Sequence, residues 1–360
     1  MQKRTKNKFN ILADENMPLV STLFSEYGNV KVMPGRHITS KDLESIDVLL
    51  VRSVTRIDEN LLRGTKVRYI GSATSGIDHL DVNYLSETNI RFDYAPGCNA
   101  LAVAEYSLSA MSVLCENWIN KKVSVIGCGN VGSKLIEALS RFGVSCNYFD
   151  PFVEREDVPK ISVFNRITQS DILCFHTPLI ETGEFPTKHL VGKELLESLK
   201  PNTIIINAGR GAVISNKALL EFLKARNSIK VALDVWENEP NIDLELLDLV
   251  DIGTPHIAGN TIEGKVRGTQ MLHKAFKAWC GFDEHIPPRN QIKQDLEDGS
   301  LLNGDDLSKI CLNGYDIRVD NELFKETFKS RENRVKAGQI FDLLRKKYRK
   351  RNEYLHTYVI

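Results

Sequence analysis

The chain has 360 residues, more than one hydrophobic core normally serves, so we expect two or three domains. Hydrophobic residues make up 42% and charged residues 26%, a balance typical of folded globular proteins rather than disordered or fibrous ones. Lys+Arg and Asp+Glu both number 47, which leaves no net basic field to attract nucleic acid or an anionic membrane.

The cysteines predict neither a disulfide framework nor a metal site. There are seven, an odd number, and no pair has C-x-x-C spacing. Most stand in apolar runs, so we expect reduced, buried thiols in a cytoplasmic protein and no bound metal. No apolar run has the length of a membrane span, and the basic N-terminus lacks the apolar centre of a secretory signal.

Short apolar runs at 9–13, 47–51 and 67–70 predict buried strands, and Leu19, Leu23 and Phe24 between the first two have helical spacing. Alternating strands and helices are typical of a parallel α/β sheet. A helix pattern from Glu263 to Trp279 lies far along the chain. We expect 1–98 and 263–285 to form one domain.

A second α/β domain is expected over 99–262. A long helix from Asn99 to Glu116 leads into it, and strands are predicted at 123–126, 146–149, 172–176, 203–207, 231–235 and 251–253. Helical segments separate most of these strands, as in a doubly wound sheet.

The chain breaks at Pro287-Pro288, and residues 286–360 are more polar and charged. So small a segment buries too little apolar surface to be stable alone, so we expect it to pack against another domain or another chain. The basic run Arg345–Arg351 is interpreted as a solvated helix face.

A Gly-rich turn follows the strand VSVI: Gly127, Gly129 and Gly132 form a G-x-G-x-x-G that opens a helix. Alone the motif is weak, but a strand–turn–helix context favours a dinucleotide, with its pyrophosphate at the helix N-terminus. Asp150 ends the next strand about 20 residues on, where an acid binds the ribose hydroxyls. Its charge repels a 2′-phosphate, so NAD is preferred over NADP.

Three polar residues follow later strands. Arg210 lies in the loop NAGRG, Glu239 in DVWENEP and His256 in PHIAG. An arginine fork binds a carboxylate, and a histidine oriented by a carboxylate makes a general base. Each residue taken singly has a structural interpretation: Arg210 as a surface arginine in a turn, Glu239 as a solvated turn residue, and His256 as a buried core histidine. Because all three follow strands downstream of the Gly-rich turn, a catalytic set is favoured instead.

The segments G-x-G-x-x-G, INAGRG, DVWENEP and PHIAG resemble the D-2-hydroxyacid dehydrogenase family. DENMP, LLVRSVT and PGCNALAVAEY in the first third of the chain resemble a branch that oxidises a phosphorylated four-carbon 2-hydroxy acid. The resemblance implies a Rossmann NAD-binding domain, a flavodoxin-like substrate domain and a small α+β C-terminal dimerisation domain, and therefore a homodimer.

The resemblance also implies residue roles. Arg210 binds the 2-hydroxycarboxylate, His256 exchanges the hydroxyl proton and Glu239 orients His256. Ser53, Thr74 and Asn260 match substrate-contacting positions, although relatives often carry Tyr in place of Asn260. Beside the three glycines, the positions that match cofactor contacts are Asp150, Thr177, Ala208, Gly209, Arg210, Asp234 and Gly259.

Two other functions compete. One is another dehydrogenase of the family, of the phosphoglycerate or glyoxylate type, which the N-terminal segments argue against. The other is a dinucleotide-sensing scaffold without activity, which the retained Arg210, Glu239 and His256 argue against. Among cationic residues, Arg52 beside Ser53 is the one we expect to bind the substrate phosphate.

Overall fold

The computed structural model describes residues 9–225, 228–281 and 304–355, with no side-chain description for 304–306. The expected break at Pro287-Pro288 and the boundary after residue 285 lie outside the described residues. The strands are β1 (Phe9–Asp14), β2 (Gly28–Met33), β3 (Val48–Val51), β4 (Tyr69–Ser72), β5 (Arg91–Tyr94), β6 (Val123–Ile126), β7 (Cys146–Phe149), β8 (Ile172–Phe175), β9 (Ile204–Asn207), β10 (Lys230–Leu233) and β11 (Ile252–Gly253).

Helices separate most of these strands, and short 3₁₀ turns occur at Gly35–His37, Ser40–Leu43, Trp118–Asn120, Phe164–Gln169 and Gly211–Val213. The α-helices are α1 (Val20–Phe24), α2 (Glu59–Leu62), α3 (Val82–Ser86), α4 (Ala100–Leu114), α5 (Asn130–Arg141), α6 (Lys193–Ser198), α7 (Asn216–Ala225), α8 (Leu244–Leu249), α9 (Ile262–Trp279), α10 (Gly304–Gly314), α11 (Ile317–Thr327), α12 (Arg331–Val335) and α13 (Ala337–Lys346). None of the described helices is both long and apolar enough to cross a membrane.

The chain divides into two compact units. Unit 1 contains Met1–Asn99 and Ile262–Lys293, and unit 2 contains Ala100–Thr261 and Gln294–Ile360. The boundaries expected from sequence, 98/99 and 262/263, lie within one residue of this division. The substrate, cofactor and dimerisation roles of the segments stay predictions.

Unit 1 is built on a parallel sheet with the strand order β2-β1-β3-β4-β5. This is the flavodoxin-like order. The central strands β3 and β4 are buried throughout, as expected for a parallel sheet covered on both faces. Helix α9 returns the chain to this unit and packs Leu272 and Phe276 against Tyr69 and the strands.

Sequence analysis missed β2 and β5, the two edge strands of this sheet. Each carries charged side chains, Lys31 in β2 and Arg91 and Asp93 in β5, which interrupt the apolar runs used to find strands. Charges on edge strands prevent pairing with another sheet, which explains why these two strands lack the apolar runs of buried strands.

Unit 2 is built on a second parallel sheet, ordered β11-β10-β9-β8-β6-β7. Beyond β7, Tyr148 forms a parallel bridge with Lys160, at the place of a further strand. This is a doubly wound Rossmann arrangement, whose order reverses where β6 lies beside β8. Helix α4 is buried on nearly all sides, and α5 buries one apolar face.

The tail helices α10–α13 belong to unit 2 rather than to a third compact unit. Cys311, Tyr315 and Ile317 join the core around α4, and Phe324 and Phe341 join the core on the other face of the sheet. Residues 304–355 contain helices and no strand. The α+β expectation concerns 286–360, part of which lies outside the described residues, so it stays a prediction. The buried positions of α11 recur every three to four residues, which is the helical period.

Candidate functional site

The Gly-rich turn joins β6 to α5. Gly127 has φ 89°, a left-handed conformation that favours glycine, and a Cβ there would lie 2.8 Å from the backbone nitrogen of Thr177. A Cβ at Gly132 would collide with the carbonyl oxygen of Gly127, whereas a Cβ at Gly129 would have no atom within 4 Å. Two of the glycines are therefore required by packing, and the third leaves open space at the start of α5.

The turn lies where the strand order reverses, at the carboxyl ends of β6 and β8. Thr177 follows β8, and its buried hydroxyl has no partner among the described residues. Asp150, which follows β7, accepts hydrogen bonds from the backbone of Cys128 (2.8 Å) and Phe152 (2.9 Å). The Asp150 carboxylate thus stabilises the Gly-rich turn, and its oxygens can still accept hydrogen bonds from a ligand.

His256 and Glu239 form a direct pair in unit 2. His256 Nδ1 lies 2.7 Å from Glu239 Oε2, and the other Glu239 oxygen accepts from Trp236 N at 2.9 Å. The contact with the carboxylate places a proton on Nδ1, so the Nε2 lone pair is available to a substrate proton. Both side chains are only partly exposed.

The pKa of Glu239 shows which influence dominates. Burial acts to raise it, but His256 and the Trp236 N–H hold it below its usual range. Glu239 therefore stays ionised at neutral pH, as a residue that orients a histidine must be.

Asp234 holds the turn that carries His256. Its two carboxylate oxygens accept from the backbone nitrogens of Ile257 and Ala258, both at 2.8 Å, and from the Thr254 hydroxyl at 2.7 Å. His256 has φ 54°, a conformation that side chains other than glycine rarely adopt. Burial raises the pKa of Asp234, and the hydrogen bonds act against that rise. Asp234 matches a cofactor-contacting position, and it lies beneath the His256 turn. Its contact with the cofactor stays a prediction.

The Arg210 loop lies against the Glu239 loop. Asn207 at the end of β9 donates to the Arg210 carbonyl at 3.0 Å and accepts from Gly209 N at 3.1 Å. A Cβ at Gly211 would collide with the backbone of Trp236, so the two loops approach closely. Arg210, Glu239 and His256 follow the adjacent strands β9, β10 and β11 and share one edge of the sheet.

The remaining cofactor-matching positions lie on the same edge. A Cβ at Gly209 would lie 2.9 Å from the Thr177 carbonyl oxygen, and Ala208 is its partly buried neighbour. Gly259 and Asn260 follow the His256 turn, where Asn260 N donates to the Ile257 carbonyl at 2.8 Å.

Ser53 and Thr74 belong to unit 1. They lie beyond the carboxyl ends of β3 and β4, which are neighbours in the sheet. The Ser72 hydroxyl lies 2.7 Å from both Thr74 Oγ1 and His79 Nε2, and Thr74 donates to the Gly76 carbonyl at 2.7 Å. Burial lowers the pKa of His79 to about 4, so this network contains a neutral ring at neutral pH.

Sequence analysis missed two buried groups near these loops. His176, next to Thr177, has Nε2 3.4 Å from Ser107 Oγ, and burial lowers its pKa to about 4. Arg351 is 3% exposed, which corrects the interpretation of Arg345–Arg351 as a solvated face. Helix α13 ends at Lys346, so the last part of the run leaves the helix and Arg351 enters the core.

Comparison with known proteins identifies the family. Erythronate-4-phosphate dehydrogenase of Saccharophagus degradans is 42% identical over 353 residues, which covers 96% of this chain and 93% of that protein. The protein of that name from Photorhabdus laumondii is 43% identical over 366 residues, covering 96% and 92%. The chain belongs to the erythronate-4-phosphate dehydrogenase family. The expected resemblance to D-2-hydroxyacid dehydrogenases is confirmed.

Two family models match parts of the chain. Residues 104–258 match the D-isomer specific 2-hydroxyacid dehydrogenase, NAD binding domain, and residues 288–360 match a domain of unknown function (DUF3410). NAD is therefore the cofactor. The residues present fit it: Gly129 faces open space at the N-terminus of α5, where a pyrophosphate would bind, and the Thr177 hydroxyl and the Asp150 carboxylate can bind polar groups.

Solved structures share the fold. NAD-bound 3-phosphoglycerate dehydrogenase of Entamoeba histolytica superposes with a TM-score of 0.67 at 21% identity, covering 76% of this chain and 96% of that one. D-Lactate dehydrogenase of Aquifex aeolicus gives 0.64 at 22% identity, covering 76% and 96%. At these identities the likeness shows the fold alone.

The two glycines at the turn allow a matched test. Gly132→Ala should lower the free energy of unfolding by roughly 1–3 kcal/mol, because the added methyl meets backbone that cannot move aside. Gly129→Ala should leave stability unchanged but weaken NAD binding, because its methyl occupies open space where the pyrophosphate is expected. Thermal unfolding and NAD titration of both variants check this. Equal stability of the two variants would contradict the packing argument.

Proposed function

We propose that this protein oxidises 4-phospho-D-erythronate at C2, giving 2-oxo-3-hydroxy-4-phosphobutanoate, in pyridoxine 5′-phosphate biosynthesis. The observation that carries the reaction class is the His256–Glu239 pair at 2.7 Å on the carboxyl edge of the NAD-binding sheet. The substrate assignment is supported by relatives of this name at 40–43% identity along nearly the whole chain.

The His256–Glu239 pair supports the following division of roles. His256 Nε2 accepts the proton of the C2 hydroxyl as the C2–H bond breaks, and Glu239 stabilises the imidazolium that forms. When bound, NAD⁺ supplies the acceptor for the C2 hydride. Arg210 binds the neighbouring carboxylate with its guanidinium fork, which fixes C2 relative to His256. Asp234 holds the turn on which His256 depends.

Asp150 sets the cofactor preference in this proposal. Its carboxylate accepts from the adenosine ribose hydroxyls and repels a 2′-phosphate, so NAD is used in preference to NADP. Ser53, Thr74 and Asn260 are proposed as substrate contacts.

A substrate panel tests the function. Purified protein with NAD is given 4-phosphoerythronate, erythronate, 3-phosphoglycerate and D-lactate, and NADH formation is followed by its absorbance. We expect 4-phosphoerythronate to have the highest kcat/KM by orders of magnitude. A higher kcat/KM for any of the other three would overturn the assignment.

The catalytic pair is tested by substitution. His256→Ala should lower kcat by about 10²–10⁴-fold, the usual contribution of a general base. Glu239→Gln should be milder and should alter the pH profile, because it removes the negative charge beside the imidazole. Arg210→Lys should raise KM and lower kcat, because an ammonium cannot make the bidentate contact.

A second histidine–carboxylate pair provides the control. His189 Nε2 lies 2.5 Å from Glu237 Oε1, and His189, like His256, has a left-handed φ. His189→Asn should retain normal kcat and an unshifted pH profile. If His189→Asn and His256→Ala lower kcat equally, His256 has no special role.

We further propose a homodimer in the cytoplasm. The cytoplasm is supported by seven cysteines, none of which forms a disulfide among the described residues, and five of which are buried. The dimer is supported by apolar side chains exposed on the tail helices: Val319 (50%) and Leu323 (57%) on α11, Val335 (80%) and Leu343 (41%). Val319 and Leu323 are four residues apart on one helix, so they share a face.

A charge on this face tests the dimer. Leu323→Glu should convert a dimer of two 40.7 kDa chains into a monomer in size-exclusion chromatography with light scattering, because an interface cannot bury an unpaired carboxylate. Val163→Glu, at a similarly exposed apolar residue outside the tail, is the control and should remain dimeric. A Leu323→Glu protein that remains fully dimeric would remove the tail face from the interface.

A further inference from the structure

Lys265 lies in unit 1 beside the turn that follows β4. Helix α9 passes close to this turn, since a Cβ at Gly268 would lie 3.3 Å from the Ala73 carbonyl oxygen. Residues three apart share a helix face, so Lys265 is on the side of α9 that meets Ala73 and Thr74.

Arg52 reaches the same place from the neighbouring strand. Strands β3 and β4 are paired in parallel up to Val51 and Ser72, and Ala73 N donates to the Val51 carbonyl at 2.9 Å. Arg52 and Ala73 are thus the first residues beyond adjacent strand ends, and both lie close to Lys265.

Lys265 is placed where a cation is unfavourable. It is half-buried, it has no ion pair among the described residues, and it lies in the first turns of α9, near the positive end of the helix dipole. Glu263 is two positions away and therefore on another side of the helix. Burial, followed by the charge of Arg52, lowers the pKa of Lys265, and no carboxylate acts against this.

An anion bound between Lys265 and Arg52 would offset the burial of the Lys265 charge and the repulsion between the two cations. We propose that Lys265 and Arg52 bind the phosphate group of a phosphorylated hydroxy-acid substrate, beside Ser53 and Thr74. Lys265 would supply a compact charge with three donors and Arg52 a planar fork, the two kinds of group that proteins use for phosphate. This inference rests on the proposed function and adds the residues that select the phosphate ester.

Kinetics with paired substrates test the site. Lys265→Met keeps the length of the side chain and removes its charge, and it should raise the KM for 4-phosphoerythronate about 10- to 100-fold, the range for one charge-assisted hydrogen bond. The kcat should change little, and kcat/KM for unphosphorylated erythronate should be unchanged. Lys265→Arg should recover most of the affinity. Lys274→Met, at an exposed lysine on the same helix, is the control.

A binding measurement separates this inference from the proposed function. Inorganic phosphate, titrated by calorimetry, should bind the wild-type protein and Lys274→Met but not Lys265→Met. If this holds while 4-phosphoerythronate is not oxidised, the phosphate site stands and the proposed function falls. If Lys265→Met keeps the preference for the phosphate ester, or loses activity on both substrates equally, the phosphate site is refuted.

A second inference concerns Arg351, in unit 2. Its Nη2 donates to the Ala102 carbonyl of α4 (2.8 Å) and to the Ala258 carbonyl (2.7 Å), two residues after His256. The guanidinium also lies 4.1 Å from the centre of the Tyr315 ring. Its Nε and Nη1 are buried without a partner among the described residues, which costs free energy.

The residues after Arg351 make further contacts with the same two elements. Glu353 accepts from the Thr261 hydroxyl at 3.1 Å, and Glu105 of α4 accepts from Tyr354 N (2.5 Å) and Leu355 N (2.7 Å). The backbone after His256 is thus held on one side by Asp234, through its N–H groups, and on the other by the tail, through a carbonyl.

We infer that Arg351 is a positioning residue for His256, so that the tail serves the reaction within its own chain. Arg351→Met should lower kcat by roughly 10²-fold, since small displacements of catalytic groups have costs of this size, and should alter the pH dependence of kcat. Its KM for the substrate should change less.

Arg349→Met is the matched control, because Arg349 binds Asp320 within the tail. It should lower the unfolding temperature without changing kcat or the pH profile. If Arg351→Met does not fold, Thr261→Val removes the neighbouring contact and should shift the pH profile in the same direction by less. If Arg351→Met, or Thr261→Val in its place, lowers the unfolding temperature but leaves kcat and the pH profile unchanged, as expected for Arg349→Met, then Arg351 has a structural role only.

Discussion

The carboxyl edge of the sheet in unit 2 depends on one buried carboxylate. Asp234 accepts two successive backbone N–H groups and a hydroxyl, and these bonds hold His256 in a left-handed conformation that costs free energy by itself. A carboxylate removed from water needs such donors to remain charged. The same bonds that satisfy Asp234 therefore fix the direction in which His256 meets Glu239.

The Rossmann sheet explains why residues distant in sequence meet at this edge. Adjacent parallel strands end together, so the loops after β9, β10 and β11 are neighbours although Arg210 and His256 are 46 positions apart in the chain. Glycines bring the loops closer than other residues would allow: Gly211 lies against Trp236, and Gly209 against Thr177. Packing of backbone on backbone leaves little freedom for the polar side chains, as pre-organised catalysis requires.

Sequence analysis predicted what local pattern determines. Runs such as VSVI and the spacing of Gly127, Gly129 and Gly132 reflect buried strands and a turn that tolerates no side chain, so β6, α5 and the loops after β9 to β11 could be placed from the sequence. The edge strands β2 and β5 could not, because their charges hide the strand period. The burial of Arg351 could not be predicted from the sequence either. Its partners are the backbone carbonyls of Ala102 and Ala258, and because every residue has a carbonyl, the sequence does not show which ones bind an arginine.

The tail shows how a strongly charged segment can be part of a core. A guanidinium is planar and weakly hydrated, so it can lie over the Tyr315 ring while its Nη2 donates to the carbonyls of Ala102 and Ala258. An apolar side chain of similar volume could fill the space beside Tyr315, but it could not donate to the Ala258 carbonyl. Because that carbonyl belongs to the His256 turn, the charge of Arg351 and the geometry of His256 are parts of one hydrogen-bonded arrangement.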